Sequence, residues 1–160
     1  MFDRRAVLGA GMATAVTAII AGKAVSAPKE AAFEVVLSDA EWRKRLSPAA
    51  YATLRRAATE RPFTSPLNKE KRKGTFACLG CGLPLFKSET KFESGTGWPS
   101  FYRVIPGAVA TKTDHKIGVP RTEYHCARCG GHQGHVFDDG PKPTGLRYCN
   151  NGLALKFIPA

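Results

Sequence analysis

The sequence predicts a mainly β domain of short strands and many turns, preceded by two short helices. Three observations carry that expectation. Sixteen glycines and eleven prolines interrupt the 160 residues too often for long regular elements. Apolar periodic runs are few, and the two clearest helix starts, Ser38 and Ser47, lie together near the beginning. Two glycine-flanked Cys-x-x-Cys pairs, Cys78/Cys81 and Cys126/Cys129, read as tight turns that a metal ion can staple. The length suits one domain with one core.

Residues 1–26 read as an export signal rather than a folded element. Arg4 and Arg5 precede an apolar run, Ala6 to Gly22, and Ala24-Val25-Ser26 supplies small residues for cleavage after Ser26 or Ala27. The pattern, with Lys23 between the run and the cleavage site, resembles twin-arginine leaders, which carry folded proteins to the periplasm. An uncleaved leader acting as a membrane tether is the alternative, although the run is marginal beside the ~20 apolar residues of a spanning helix. A linker follows at 27–36, and the folded domain is expected over 37–160. The net charge is +11, and a processed chain keeps +9 because residues 1–26 hold three basic groups and one acidic group. The basic residues are scattered, without the interleaved aromatics of a stacking surface, so they read as a solvated face and not as a nucleic-acid site.

Ser38-Asp39-Ala40-Glu41 has the capping-box pattern of a helix start, with Trp42 and Leu46 on the apolar stripe. Ser47-Pro48 begins a second helix that faces the core with Tyr51 and Leu54 and is expected to end at Pro62. Residues 68–74 form a basic connection. Thr75 to Gly82 then reads as a strand entering a knuckle, and the second knuckle follows after 44 intervening residues. That gap is long for an autonomous finger, so the metal would join two hairpins of one domain. Four thiolates suit tetrahedral zinc in a structural role. Disulfides and a thioredoxin-like redox pair use the same residue type, but the doubled, glycine-flanked pattern favours zinc.

Phe92 to Phe101 is a turn-rich segment holding Trp98, whose ring can wall a small-ligand site or join the core. It lacks the Lys-Ser/Thr partner of a phosphate loop. His132 and His135 follow the second knuckle and read as acid/base and hydrogen-bonding groups, since a second metal would lack a third ligand. With four cysteines assigned to metal, Cys149 remains. A strand period places Arg147, Cys149 and Asn151 on one face, and the row continues through Leu153, Leu155 and Phe157 as one strand. The guanidinium of Arg147 is expected to lower the Cys149 thiol pKa and favour a nucleophile. The alternative function is a basic zinc-ribbon binding module in which Cys149 is structural.

Taken together, Cys78-x-x-Cys81, Ser94-Gly95-Thr96-Gly97-Trp98-Pro99-Ser100-Phe101, Cys126-x-x-Cys129-Gly130, His132-Gln133-Gly134-His135-Val136-Phe137 and Arg147-Tyr148-Cys149-x-Asn151 resemble the B-type peptide methionine (R)-S-oxide reductases. The resemblance spans about residues 37 to 159. It implies two antiparallel sheets packed around the site, Cys149 as nucleophile, and zinc on the four knuckle cysteines. It also implies that Trp98 receives the sulfoxide methyl, with Phe137 on the substrate side, while His132, His135, Arg147 and Asn151 assist catalysis. The implied partners are oxidised proteins or peptides and an external thiol or thioredoxin-like reductant, with the chain acting as a monomer. One departure stands out. Many members carry a resolving cysteine where this chain has Thr96, so a single-thiol cycle without an internal disulfide is expected.

Overall fold

The computed structural model describes residues 33–160. The expected leader and residues 27–32 of the linker lie outside the described residues. Among the described residues two short helices come first, α1 (Asp39–Arg45) and α2 (Pro48–Arg56). The capping box forms as expected. Ser38 Oγ accepts from Glu41 N, and the Glu41 carboxylate accepts from Ser38 N at 2.8 Å. Ser47 caps α2 with Pro48 in its first turn. The second helix stops at Arg56, well short of Pro62. There Ala57 turns left-handed (φ 50°), and its N–H and that of Ala58 close on Ala52 O. Among the described residues no helix is long and apolar enough to cross a membrane.

Nine strands follow: β1 (Gly74–Cys78), β2 (Pro84–Lys87), β3 (Lys91–Phe92), β4 (Ser100–Phe101), β5 (Val109–Asp114), β6 (Arg121–Cys126), β7 (His132–Phe137), β8 (Arg147–Asn150) and β9 (Leu155–Pro159). They form two antiparallel sheets, in the order β2-β1-β9 and β3-β4-β8-β7-β6-β5. The mainly β, two-sheet architecture expected from the sequence is therefore present.

Aromatic rings hold the sheets together. Phe76 of β1 and Phe86 of β2 pack on Phe101 of β4, with Phe86 stacked on Phe101 at 4.1 Å and Phe76 edge-on at 4.9 Å. Tyr124 of β6 meets Phe86 on one side and Tyr148 of β8 on the other. Phe76, Phe86, Phe101 and Tyr124 are wholly buried, each worth about 2–3 kcal/mol of burial. Trp42, Leu46, Tyr51 and Leu54 of the helices extend the same core.

The segment from Arg147 to Phe157 is not one strand. β8 ends at Asn150, a single 3-10 turn covers Gly152–Ala154, and β9 belongs to the other sheet. The break has a local cause. The Glu60 carboxylate accepts from Gly152 N at 2.5 Å and Leu153 N at 3.2 Å, pulling consecutive amides out of an extended ladder. Gly152 also lies so close to Ser65 that a Cβ there would sit 1.9 Å from its hydroxyl oxygen. Arg147 and Cys149 keep their common face, whereas Asn151 leaves the strand.

Candidate active site and metal centre

The register of the larger sheet assembles one polar face. β7 pairs with β8 so that His135 lies opposite Cys149 and Phe137 opposite Arg147, and β4 brings Ser100 opposite Cys149 from the other side. On the same face, Glu123 of β6 lies opposite His135, and Arg121 lies opposite Asp114 of β5. The residues between them point inward, as Tyr124 and Tyr148 do in the core. A cavity of about 120 Å³ opens on this face. Trp98, His135, Phe137, Cys149 and Asn151 border it, joined by Thr59 and Arg121.

Cys149 is half-buried, and that burial dominates its chemistry. It pushes the thiol pKa up, against the lowering effects of Arg147 and the Thr96 hydroxyl. Arg147 lowers the thiol pKa as expected, but burial outweighs it. The cation is already engaged, because Arg147 Nε and Nη2 donate to the two Asp139 carboxylate oxygens at 2.8 and 2.9 Å. Its guanidinium also lies 4.4 Å over the Phe137 ring. The negative charge of Asp139 itself raises the thiol pKa. Asp139→Asn should therefore move the thiolate titration, followed by ultraviolet absorbance, to lower pH, and alkylation at a fixed neutral pH should quicken. A shift to higher pH would show that Asp139 acts instead by holding Arg147 against the sulfur.

His135 Nε2 lies 2.7 Å from Asp114 Oδ2. Asp114 also accepts from Lys116 N at 2.8 Å and Arg121 Nη2 at 2.6 Å, and these donors hold its carboxyl well below the usual carboxylate range. An ionised carboxylate only accepts, so Nε2 carries the His135 proton and Nδ1 is the lone-pair nitrogen. Burial lowers the His135 pKa, which keeps the imidazole neutral at rest. His132 is more deeply buried and does not border the cavity. Its ring meets that of His135 at 5.6 Å, and its Nδ1 lies 2.9 Å from Glu123 Oε1 in a close contact without hydrogen-bond alignment. Lys112 lies 3.5 Å from the same Glu123 oxygen. Each imidazole thus has its own carboxylate, and each carboxylate its own cation.

Asn151 supports the site from the side. Its Oδ1 accepts from Glu60 N at 3.0 Å, and its Nδ2 donates to Gln133 O at 3.1 Å. Trp98 is half-buried, and its Nε1 donates to Glu60 O at 3.1 Å. One backbone position therefore fixes both the indole and the amide. Thr96 Oγ1 shares a 2.8 Å contact with Ser94 Oγ, which in turn lies 2.8 Å from Ser100 Oγ, and the Thr96 hydroxyl lowers the Cys149 pKa.

The four knuckle cysteines converge, with all their sulfurs within 4.8 Å of one another. Cys78 and Cys129 lie 3.7 Å apart, and Cys81 and Cys126 3.5 Å. Tetrahedral zinc with bonds of about 2.3 Å would place sulfurs about 3.8 Å apart, so the set fits such an ion. The turns aim the sulfurs. Gly82 (φ 79°) and Gly130 (φ 67°) take left-handed conformations, and their N–H groups return to Cys78 O and Cys126 O.

Sequence reasoning missed Thr59, Glu60, Asp114, Arg121, Glu123 and Asp139. Only Arg121 and Glu123 carried a signal, through their alternation with Tyr124 just before the second knuckle.

Comparison with known proteins matches the SelR domain over residues 46–159. A peptide methionine sulfoxide reductase MsrB of Leptospira interrogans is 53% identical over 126 residues, covering 78% of this chain and 96% of that protein. The MsrB of Agrobacterium fabrum is 54% identical over 123 residues, covering 76% and 91%, and that of the archaeon Methanosarcina barkeri is 54% identical over 121, covering 75% and 85%. With the domain match running through both knuckles and the cavity, the chain belongs to the SelR family of MsrB peptide methionine sulfoxide reductases.

Proposed function

We propose that this protein reduces the R epimer of methionine sulfoxide in proteins and peptides at Cys149, with structural zinc on Cys78, Cys81, Cys126 and Cys129. The observation that carries this reading is the pairing of Cys149 with His135 beside the Trp98 ring in one small cavity. The four cysteines would hold zinc as a cross-link between the two hairpins, an ion with no redox chemistry of its own.

At rest Cys149 is a thiol and His135 a neutral imidazole. Together they hold the proton the reaction requires. His135 Nδ1 takes the thiol proton and passes it to the sulfoxide oxygen, while Asp114 stabilises the transient imidazolium. The thiolate attacks the sulfoxide sulfur to form a sulfur–sulfur bond, the protonated oxygen leaves as hydroxide, and hydroxide then attacks the Cys149 sulfur, breaking that bond to release methionine and leave sulfenic acid. Methionine gains two electrons and cysteine loses two. His132 and Glu123 back the His135 ring, Arg147 with Asp139 stacks on Phe137, and Asn151 holds the cavity wall. Trp98 takes the methyl group on its face, since the mirror-related epimer would turn a polar oxygen onto the indole.

Thr96 supplies no sulfur, so recycling is external. One thiol of the reductant attacks the sulfenic sulfur and releases water, and a second thiol resolves the mixed disulfide. We further propose export to the periplasm through the twin-arginine leader. The test of the reductase reading is an assay of both epimers, peptide-bound, with several thiol donors. Turnover of the R epimer is expected, with a sulfenic acid trapped on Cys149 when reductant is withheld. Turnover confined to the S epimer, or an internal disulfide to Cys149, would overturn it.

A further inference from the structure

We propose that the exposed ring of Phe63 forms a second substrate contact, gripping an apolar side chain that flanks methionine sulfoxide in a polypeptide. This rests on the reductase reading above. Phe63 is 73% exposed, against 37% for Phe33, so its ring adds little to the core. It is also a non-glycine residue in the left-handed region, with φ 65°. A bulky side chain there is unfavourable, and such outliers persist only when the surroundings impose them.

The surroundings do impose it. Phe63 N donates to Gly97 O at 2.7 Å, and Asn68 Nδ2 donates to the same oxygen at 2.9 Å. Thr64 Oγ1 closes back on Arg61 O at 2.7 Å. The ring lies over Gly97 so closely that a Cβ at that position would sit 2.9 Å from Phe63 Cδ2. Gly97 immediately precedes Trp98, and the Trp98 indole is tied to Glu60 O, three residues before Phe63. Thr59 borders the cavity itself. Residues 59–63 thus run from Thr59 in the cavity wall to a solvent-facing ring set against Gly97, the neighbour of the wall residue Trp98. A polypeptide whose methionine sulfoxide lies against Trp98 brings its neighbouring residues near that ring. An apolar ring fits an apolar neighbour.

Phe63→Gly gives a clean test, because glycine takes the left-handed backbone without steric penalty and removes the ring. The melting temperature should hold or rise. The ratio of kcat/KM on a leucine-flanked methionine (R)-sulfoxide peptide to that on N-acetyl-methionine (R)-sulfoxide should fall about tenfold, mainly through KM, as for loss of one aromatic anchor. Phe63→Tyr should restore the ratio. An unchanged ratio overturns the proposal. So does an equal loss on both substrates with a lowered melting temperature, which would make the ring a prop for Gly97 and Trp98. Wild-type protein inactive on both substrates would instead sink the reductase reading beneath it.

Discussion

Cys149→Ser should leave no measurable turnover, a loss on the order of 10³-fold or more, while metal content stays at one ion per chain. Serine has nearly the same shape, and Cys149 lies outside the metal cluster, so the fold should survive. The hydroxyl is a far weaker nucleophile and cannot accept the sulfoxide oxygen by a two-electron oxidation. The pair of measurements, reductase rate and metal stoichiometry, separates chemistry from architecture. Residual activity within tenfold of wild type would place the reacting sulfur elsewhere. It would also revive the reading of the chain as a zinc-stapled binding module.

Removing the metal should have the other large effect, this time on stability. Structural zinc binds short finger peptides with an apparent free energy of about 10–16 kcal/mol, comparable to the whole ~5–15 kcal/mol stability of a small domain. Cys126→Ser, or a strong chelator, should lower the melting temperature by roughly 20 °C or leave the chain unfolded. The environment explains the size. Cys78, Cys126 and Cys129 are buried, with the four sulfurs within 4.8 Å of one another, so an empty cluster would leave close, desolvated thiols in the core. Thiol titration of the chelated, denatured wild-type chain should return five free groups. A count of one would mean two disulfides instead of a metal.

The sequence displayed what local chemistry encodes. Serine caps marked both helices, and glycines beside Cys78/Cys81 and Cys126/Cys129 marked the knuckles, because each motif is made by residues adjacent in the chain. That Cys149 stands apart from the four-cysteine cluster was legible by elimination. The supporting carboxylates were not. Asp114 reaches His135 across two strand pairings, and nothing in a single sequence specifies the register that brings them within 2.7 Å. Two features stayed hidden for related reasons. Arg147 does lower the Cys149 pKa, but neither the burial that outweighs it nor its pairing with Asp139, eight residues earlier, left a sign in the sequence. The run from Arg147 to Phe157 looked continuous because its alternation is correct, and Glu60, some ninety residues away, causes the break.

Gln133 stands between the two sulfur centres. Its Nε2 reaches Cys78 Sγ at 3.5 Å, its Oε1 faces Asn150 Nδ2 at 3.4 Å, and its backbone oxygen receives both the amide and side chain of Asn151. Six residues after Cys149, Leu155 pairs directly with Cys78. The end of β8 and the turn after it are thereby moored to the four-cysteine cluster. Disturbance of those four sulfurs would therefore travel through Gln133 and Leu155 to the wall beside Cys149.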